Sequence, residues 1–296
     1  MDPSFYASYY RHEDRHWWFR WRFELITQLV SEQKKESDFL ILDAGCGTGQ
    51  MLKHLEQLGD AIGIDTSAQA ISFAQSRGVK KLVRGSITDV PFADATFDCI
   101  VALDVIEHIE DDFGILQSLH DVLKPGGRLI ITVPAYQILW SEHDEINHHK
   151  RRYTAPHLRR LIEEAGYSVD RVSYCNTVFF FPIFAIRKFK NLLRKARTSN
   201  GANPDGLQSD LGDYPQIMNE AAFRVMHMEN GLMRHIDLPF GVSVLAVAKR
   251  VAPVEQPVDA VGQRLDQAPI PHTNGKVNEP VLVPLADQVE IGSSFK

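Results

Sequence analysis

A doubly wound α/β fold is predicted by three features of this 296-residue chain. From Asp38 onward short β-rich runs alternate with helical ones, glycines and prolines punctuate the joins, and a glycine-rich loop links the first strand to its helix. Alternation of this kind is the signature of βαβ units in a parallel sheet. The run is FLILD, QMLKHLEQL, AIGID, SAQAISFAQSRG, KLVRG, FDCIVAL, DDFGILQSLHDVL and GRLIITVP. Gly78 closes the second helix, and Pro125-Gly126-Gly127 stops the next one before the strand RLIITV.

Before this core, Phe5 to about Glu32 reads as one or two helices of high aromatic density, carrying Trp17, Trp18 and Trp21, three of the four tryptophans. Such a segment packs on the sheet, closes over a ligand, or does both. After the core, Thr154–Ala165 has proline near its first turn and ends at Gly166, the punctuation of a helix. YSVDRVSYC follows as a strand. Next, nine apolar residues from Val178 to Ile186 run into six basic ones between Arg187 and Arg197, a stretch too short to span a bilayer. Residues 198–216 read as a loop, Ile217–Met233 as a helix, and PFGVSVLAVAKR as a last strand. These signals divide the chain into a helical cap over 1–37, a main domain over 38–250 with a helical insert at 178–235, and a tail over 251–296. The tail holds six of the fifteen prolines and one aromatic, and is expected to be disordered.

Composition narrows the function. With 44% hydrophobic and 24% charged residues the chain is globular, and its net charge of −6 gives no overall attraction for nucleic-acid phosphates. Cys46, Cys99 and Cys175 are few and widely spaced, so a zinc site or disulfide framework is not indicated. A reducing, cytoplasmic setting is expected, the more so because the N-terminus lacks the pattern of a signal peptide.

The loop Asp43-Ala-Gly45-Cys-Gly47-Thr48-Gly49 lies between the first strand and its helix, where glycines let a ligand approach the helix N-terminus. A dinucleotide loop would run G-x-G-x-x-G, but here the spacing is G-x-G-x-G, Gln50 takes the third dinucleotide position, and a carboxylate precedes the loop. That carboxylate repels a pyrophosphate and attracts an ammonium or sulfonium. Asp65, at the end of the second strand, suits a ribose diol.

Taken with these residues, LDAGCGTGQ, IGIDTS, GSITDVPFADATFDCIVALDVIEHI and LKPGGRLIITVP resemble the class I S-adenosylmethionine-dependent methyltransferases of the type 11 and type 12 group, in order from about residue 39 to 134. The resemblance implies a Rossmann-like seven-stranded sheet with a reversed last strand, S-adenosylmethionine as cofactor, and methyltransferase activity over 38–250. It would place the methionine end of the cofactor on Asp43, Gly45, Gly47, Thr48 and Gly49, and the ribose on Asp65 with Thr66 beside it. The adenine would lie beside Ser86 and Ile87, and Leu103 and Asp104 would sit near the sulfonium. Ser86 departs from the family, in which Asp is common, and a hydroxyl accepts the same hydrogen bond more weakly. Arg20 or Arg22, after the aromatic residues of WWFRWR, is the expected partner of the cofactor carboxylate, with Arg20 taken first.

Amide-type nitrogen acceptors are disfavoured, because Leu103-Asp104-Val105-Ile106 stands where those enzymes carry [DNS]-P-P-[YFW]. Asp104, Glu107 and His108 share one helical face and suit a proton acceptor with its orienting carboxylate or a divalent metal, as in the similar element of ubiquinone-biosynthesis O-methyltransferases. In most type 11 enzymes the Glu-His pair lines the pocket without metal, and no metal ligand is assigned. The segment from Trp140 to Tyr153 follows the fifth strand at its carboxyl end, where such sheets bind ligands. His108, His143 and His148 are the expected catalytic residues, with Arg152 and Tyr153 on the substrate. The acceptor is read as a small or lipid-like molecule methylated at oxygen or carbon, with peripheral membrane contact through 178–197. A catalytically silent cofactor-binding module or an NAD-dependent oxidoreductase is the alternative, and the second lacks its glycine spacing and its Tyr-x-x-x-Lys.

Overall fold

Seven strands form one sheet in the order β3-β2-β1-β4-β5-β7-β6 in the computed structural model of the protein. It describes residues 3–34, 38–199 and 214–251, with side chains over 6–34, 38–192 and 214–251. The expected disorder of the tail and the loop over 200–213 lie outside the described residues. The central strands β1 (Leu40–Ala44), β2 (Asp60–Asp65), β3 (Leu82–Arg84), β4 (Phe97–Leu103) and β5 (Leu123–Pro134) pair in parallel. β7 (Ser243–Arg250) runs antiparallel between β5 and β6 (Tyr167–Cys175), so the last strand is the reversed one. The core strands are buried on both faces, as the unbroken apolar runs FLIL and CIVAL require of a sheet covered on two sides.

Helix boundaries follow local capping chemistry. α2 (Trp17–Ser31) starts where His16 accepts the Trp18 N–H, α4 (Ala68–Ser76) where Ser67 accepts Ala70 N–H, and α5 (Asp112–Val122) where Asp111 accepts Gly114 N–H. α7 (Ala155–Glu164) begins at Thr154 with Pro156 in its first turn. Gly78, at φ +85°, ends α4 in the left-handed conformation that glycine alone adopts without strain.

One core layer holds α5 and α7 against β4 and β5, and includes Phe97, Leu116, Tyr153 and Leu158. The other packs α2, α3 (Gln50–Leu55) and α9 (Gln216–Met233) on the opposite face. The aromatic N-terminal segment packs on the sheet and also contributes side chains to a cavity. α2 buries Phe19, Trp21, Phe23 and Ile26 in that second layer, while α1 (Pro3–His12) and the first turn of α2 reach the site described below. Trp21 Nε1 donates to Asn230 Oδ1 of α9 at 2.6 Å inside this layer, which fixes one helix against the other. Trp21→Phe leaves the Asn230 carbonyl without that donor in the core, and is expected to lower stability by about 1–3 kcal/mol in urea denaturation.

Candidate functional site

Along the carboxyl edge of the sheet the strand ends and the loops after them enclose a cavity of about 910 Å³. Asp43 and Asp65 enter from β1 and β2, Leu103 and Asp104 from β4, Pro134 from β5, Asn176 from the residue after β6, and Ser243 from β7. α1, α2 and α8 (Phe180–Ser199) roof it. Of the residues expected on the cofactor, Asp43, Gly45, Gly47, Thr48, Asp65, Thr66, Ser86, Ile87, Leu103 and Asp104 all line this one cavity. Gly49 stands just behind it as the left-handed N-cap of α3.

The loop is built for close approach. A Cβ on Gly45, at φ +81°, would meet Val105 Cγ2 at 2.6 Å, so a side chain there is refused by both backbone and space. Gly47 N–H and Ser67 N–H donate to the two oxygens of Asp65 at 2.9 and 2.8 Å and hold that carboxylate at the cavity wall. Burial pushes the Asp43 carboxyl up to about 7 against the pull of Arg22, and Asp43 Oδ2 is buried with no hydrogen-bond partner. An orphaned carboxylate oxygen beside a cradle that a Cβ would fill is what a cationic amino-acid moiety with a nucleoside requires, and the residues fit S-adenosylmethionine.

Arg20 and Arg22 are separated by helix phase. Arg20 turns to the surface, pairs with Glu220 at 2.8 Å and stacks on Phe223, and is not among the cavity residues. Arg22 turns inward, stacks over Trp18 and donates to Asp104 Oδ2 at 2.7 Å. Asp104 has φ +54°, a strained backbone for a non-glycine residue, held by Arg22 and by the Thr132 hydroxyl at 3.1 Å. Opposite, α1 is latched to the loop: the Thr48 hydroxyl donates to Glu13, which also receives Arg77 Nη2 at 2.9 Å.

Beyond Asp104 the wall becomes a histidine cluster. His108, His143 and His149 line the cavity, whereas His148 has φ +56°, is exposed, and is not among the lining residues. His149, which the sequence reading passed over, is the organised member. Asp144 accepts from Arg152 Nε and Nη2 at 2.8 and 2.9 Å and lies 2.8 Å from His149 Nδ1. Although burial alone would raise it, His149 and Arg152 hold the Asp144 carboxyl far below the usual carboxylate range. An ionised carboxylate can only accept, so Nδ1 of His149 carries the proton and Nε2 is left as the basic nitrogen. That nitrogen lies 3.9 Å from Glu107 Oε1. Glu107 is wholly buried, neither oxygen has a hydrogen-bond partner, and burial together with Asp104 drives its carboxyl well upward. Burial and His149 take His108 down to about 3, so its ring stays neutral.

The two expected substrate residues serve the scaffold. Arg152 lines the cavity but spends its guanidinium on Asp144 and the Ala135 carbonyl. Tyr153 is fully buried, donates to Asp112 Oδ2 at 2.7 Å and does not line the cavity. Asn176, also unread in the sequence, sits at φ +61° and is 1% exposed; its carboxamide lines the cavity with neither nitrogen nor oxygen hydrogen-bonded. Its only sequence signal is its place directly after a strand that ends at the ligand edge.

A family profile described as "Methyltransferase domain" matches residues 42–131. The chain is 29% identical over 161 residues to a probable S-adenosylmethionine-dependent methyltransferase of Mycolicibacterium smegmatis, covering 53% of this chain and 62% of that one. It is 36% identical over 115 residues to a probable tRNA methyltransferase 9B of Bos taurus (38% and 24%), and 29% identical over 127 residues to the mitochondrial ubiquinone biosynthesis O-methyltransferase of Schizosaccharomyces pombe (40% and 46%). The match thus spans under two thirds of each of these relatives. A solved Haloferax volcanii putative methyltransferase, in complex with the activator Trm112, shares the fold at a TM-score of 0.55 with 17% identity, over 84% of this chain and 96% of that one. With its sheet order and its glycine loop, the chain belongs to the class I S-adenosylmethionine-dependent methyltransferases.

Asp43 carries a pH signature. A carboxyl raised on folding binds its proton more tightly in the folded state, so its burden grows as pH rises from about 4 to about 7. Asp43→Asn is therefore expected to raise the thermal midpoint most above neutrality, by less between about pH 5 and 6 and hardly at all at about pH 4, while weakening S-adenosylmethionine binding by about tenfold or more in calorimetry. Asp65→Ala should weaken binding by a similar factor, and because the Asp65 carboxyl is likewise raised on folding, it too should lessen the loss of thermal midpoint as pH rises.

Proposed function

We propose that the protein transfers a methyl group from S-adenosylmethionine to a hydroxyl, or to an acidic carbon, of a small or lipid-like acceptor. The observation that carries this reading is the Arg152–Asp144–His149 chain, which ends with a basic imidazole nitrogen facing the same cavity as Asp43 and Asp65. S-adenosylmethionine supplies an activated methyl group. The chain's own residues then have two tasks, alignment and removal of the acceptor's proton. His149 Nε2 takes that proton, Asp144 stabilises the imidazolium formed, and Arg152 keeps Asp144 ionised. The orphaned amide of Asn176 offers a donor and an acceptor to the polar end of the acceptor, and Phe179, Pro182, Ile183 and Ile186 form its apolar wall. Such a wall favours a hydrophobic acceptor over a polynucleotide, even though mammalian relatives are named for tRNA.

A second reading rests on one observation. Donor atoms of Glu107, His108 and His149 lie within 4.8 Å of one another, which is a reach suited to a divalent cation, with Asp144 as the carboxylate behind His149. Compared with the sequence reading, His149 replaces Asp104, whose carboxylate is engaged by Arg22.

His149→Ala is expected to lower kcat by about 10²–10⁴-fold while leaving the S-adenosylmethionine Kd within about twofold. Radiolabelled methyl transfer into lipid, soluble and macromolecular fractions of cell extract identifies the pool and reads the loss. Label confined to macromolecules would overturn the acceptor class, and unchanged turnover in the variant would overturn the base. Bound metal by elemental analysis, lost in Glu107→Gln, would favour the second reading.

A further inference from the structure

α8 is apolar on two faces. Its inward face, Phe179, Pro182, Ile183 and Ile186 at helical spacing, walls the cavity. Its outward face carries Phe181, Ala185, Phe189 and Leu192, again at helical spacing, and Phe181, Phe189 and Leu192 are 64%, 62% and 66% exposed. A helix at the surface of a water-facing domain has one apolar stripe and one polar face, and a helix apolar around most of its circumference has a second apolar neighbour. The cavity accounts for only one of the two.

The identity of the other neighbour is given by charge and by position. Between Phe179 and Ser199 the sequence holds six cations and no acid, within a chain of net charge −6. Lys188 stands exposed beside Phe189. Exposed aromatics joined to local positive charge in an acidic protein complement an anionic lipid surface, because the rings enter the headgroup boundary while the cations meet the phosphates. The way in lies at the edge of the inward face: Ile186 and Lys190 of α8, next in sequence to Ala185 and Phe189 of the outward stripe, line the cavity with Tyr214 and Met218 of the α9 side yet are exposed, so the mouth is rimmed largely by apolar side chains.

We infer that α8 docks on an anionic bilayer and that the cavity receives a membrane-dissolved amphiphile through this rim, its polar end passing inward to His149 and Asn176. This inference rests on the proposed methyl transfer for the amphiphile's fate, and the docking itself is tested without turnover. No described helix is long and apolar enough to cross a membrane, so the contact is one of lying on the surface.

The test is co-sedimentation of the full chain with phosphatidylcholine vesicles and with mixed phosphatidylcholine–phosphatidylglycerol vesicles, at low and high salt, beside Phe189→Asp/Leu192→Asp. Neither residue lines the cavity. The expected result is binding to the anionic vesicles that weakens with salt, and a fall of about tenfold or more in the double variant. Calorimetric binding of S-adenosylmethionine unchanged in the variant confirms that it is folded and separates this inference from the methyltransferase reading. The inference is overturned if wild type fails to bind anionic vesicles at low salt, or if the variant binds as wild type does. It is equally overturned if light scattering shows a wild-type dimer that the variant dissociates, because the stripe would then be covered by a second copy.

Discussion

Carboxylates deprived of water along the carboxyl edge of the sheet set the terms for everything around them. Glu13, Asp43, Asp65, Asp104 and Glu107 line one cavity, and burial raises the carboxyls of Glu13, Asp43, Asp65 and Glu107. Desolvation on this scale is tolerated only where opposite charge or hydrogen bonds return part of the loss. Arg22 does this from α2: it pairs with Asp104 and draws down both Asp43 and Glu13. The aromatic density of the N-terminal segment follows from the same need. Trp18 stacks on the Arg22 guanidinium and Phe19 anchors its helix, so the counter-charge is delivered by a rigid element. A cavity so furnished is selective by electrostatics before any shape is considered, since it rewards a ligand that brings positive charge.

The deeper half of the site brings imidazoles into the same buried setting and orients one of them. Burial and His149 lower the affinity of His108 for a proton by more than its hydrogen bonds to the Asn147 and Asp104 backbone restore. His149 is placed against Asp144, and Asp144 is kept ionised by two parallel bonds from Arg152. Removing Asp144 or Arg152 strands the buried charge of the other, so these two are as constrained as the histidine they orient.

The layered sheet was legible in the sequence because its signals are local: strand runs, capping residues and a loop of fixed spacing each act within a few positions. The residues from Asp43 to Asp104 that the family resemblance names for the cofactor, Gly49 apart, come together on one cavity. What stayed hidden depends on rotation about an axis or on contacts far along the chain. Arg20 and Arg22 are two residues apart on a helix, roughly 200° in phase, so the choice between them waits on which face α2 buries. His148 and His149 are adjacent, and the left-handed backbone of His148 sends one outward and leaves the other facing Glu107. Tyr153 reads as a pocket wall because it shares one connection after the fifth strand with Trp140 and three histidines, yet its ring fills the core and its hydroxyl is satisfied by Asp112, forty-one positions away. Asn176 follows an ordinary strand, and only the arrival of α8 and α9 closes it in.

The placement of β7 has a consequence for biogenesis. β6 has its ladder partner in β7 alone, and β7 in turn is the bridge to β5. While the chain is being synthesised, β6 emerges without its native ladder partner, and it must wait some seventy residues for the strand that joins it to β5. Until then the half of the cavity bearing Asn176 and α8 has no floor, whereas the glycine loop and its neighbours can already assemble. Nascent protein would thus gain the capacity to hold a nucleoside before it gains a chamber for the partner molecule, an order of events dictated by strand topology alone.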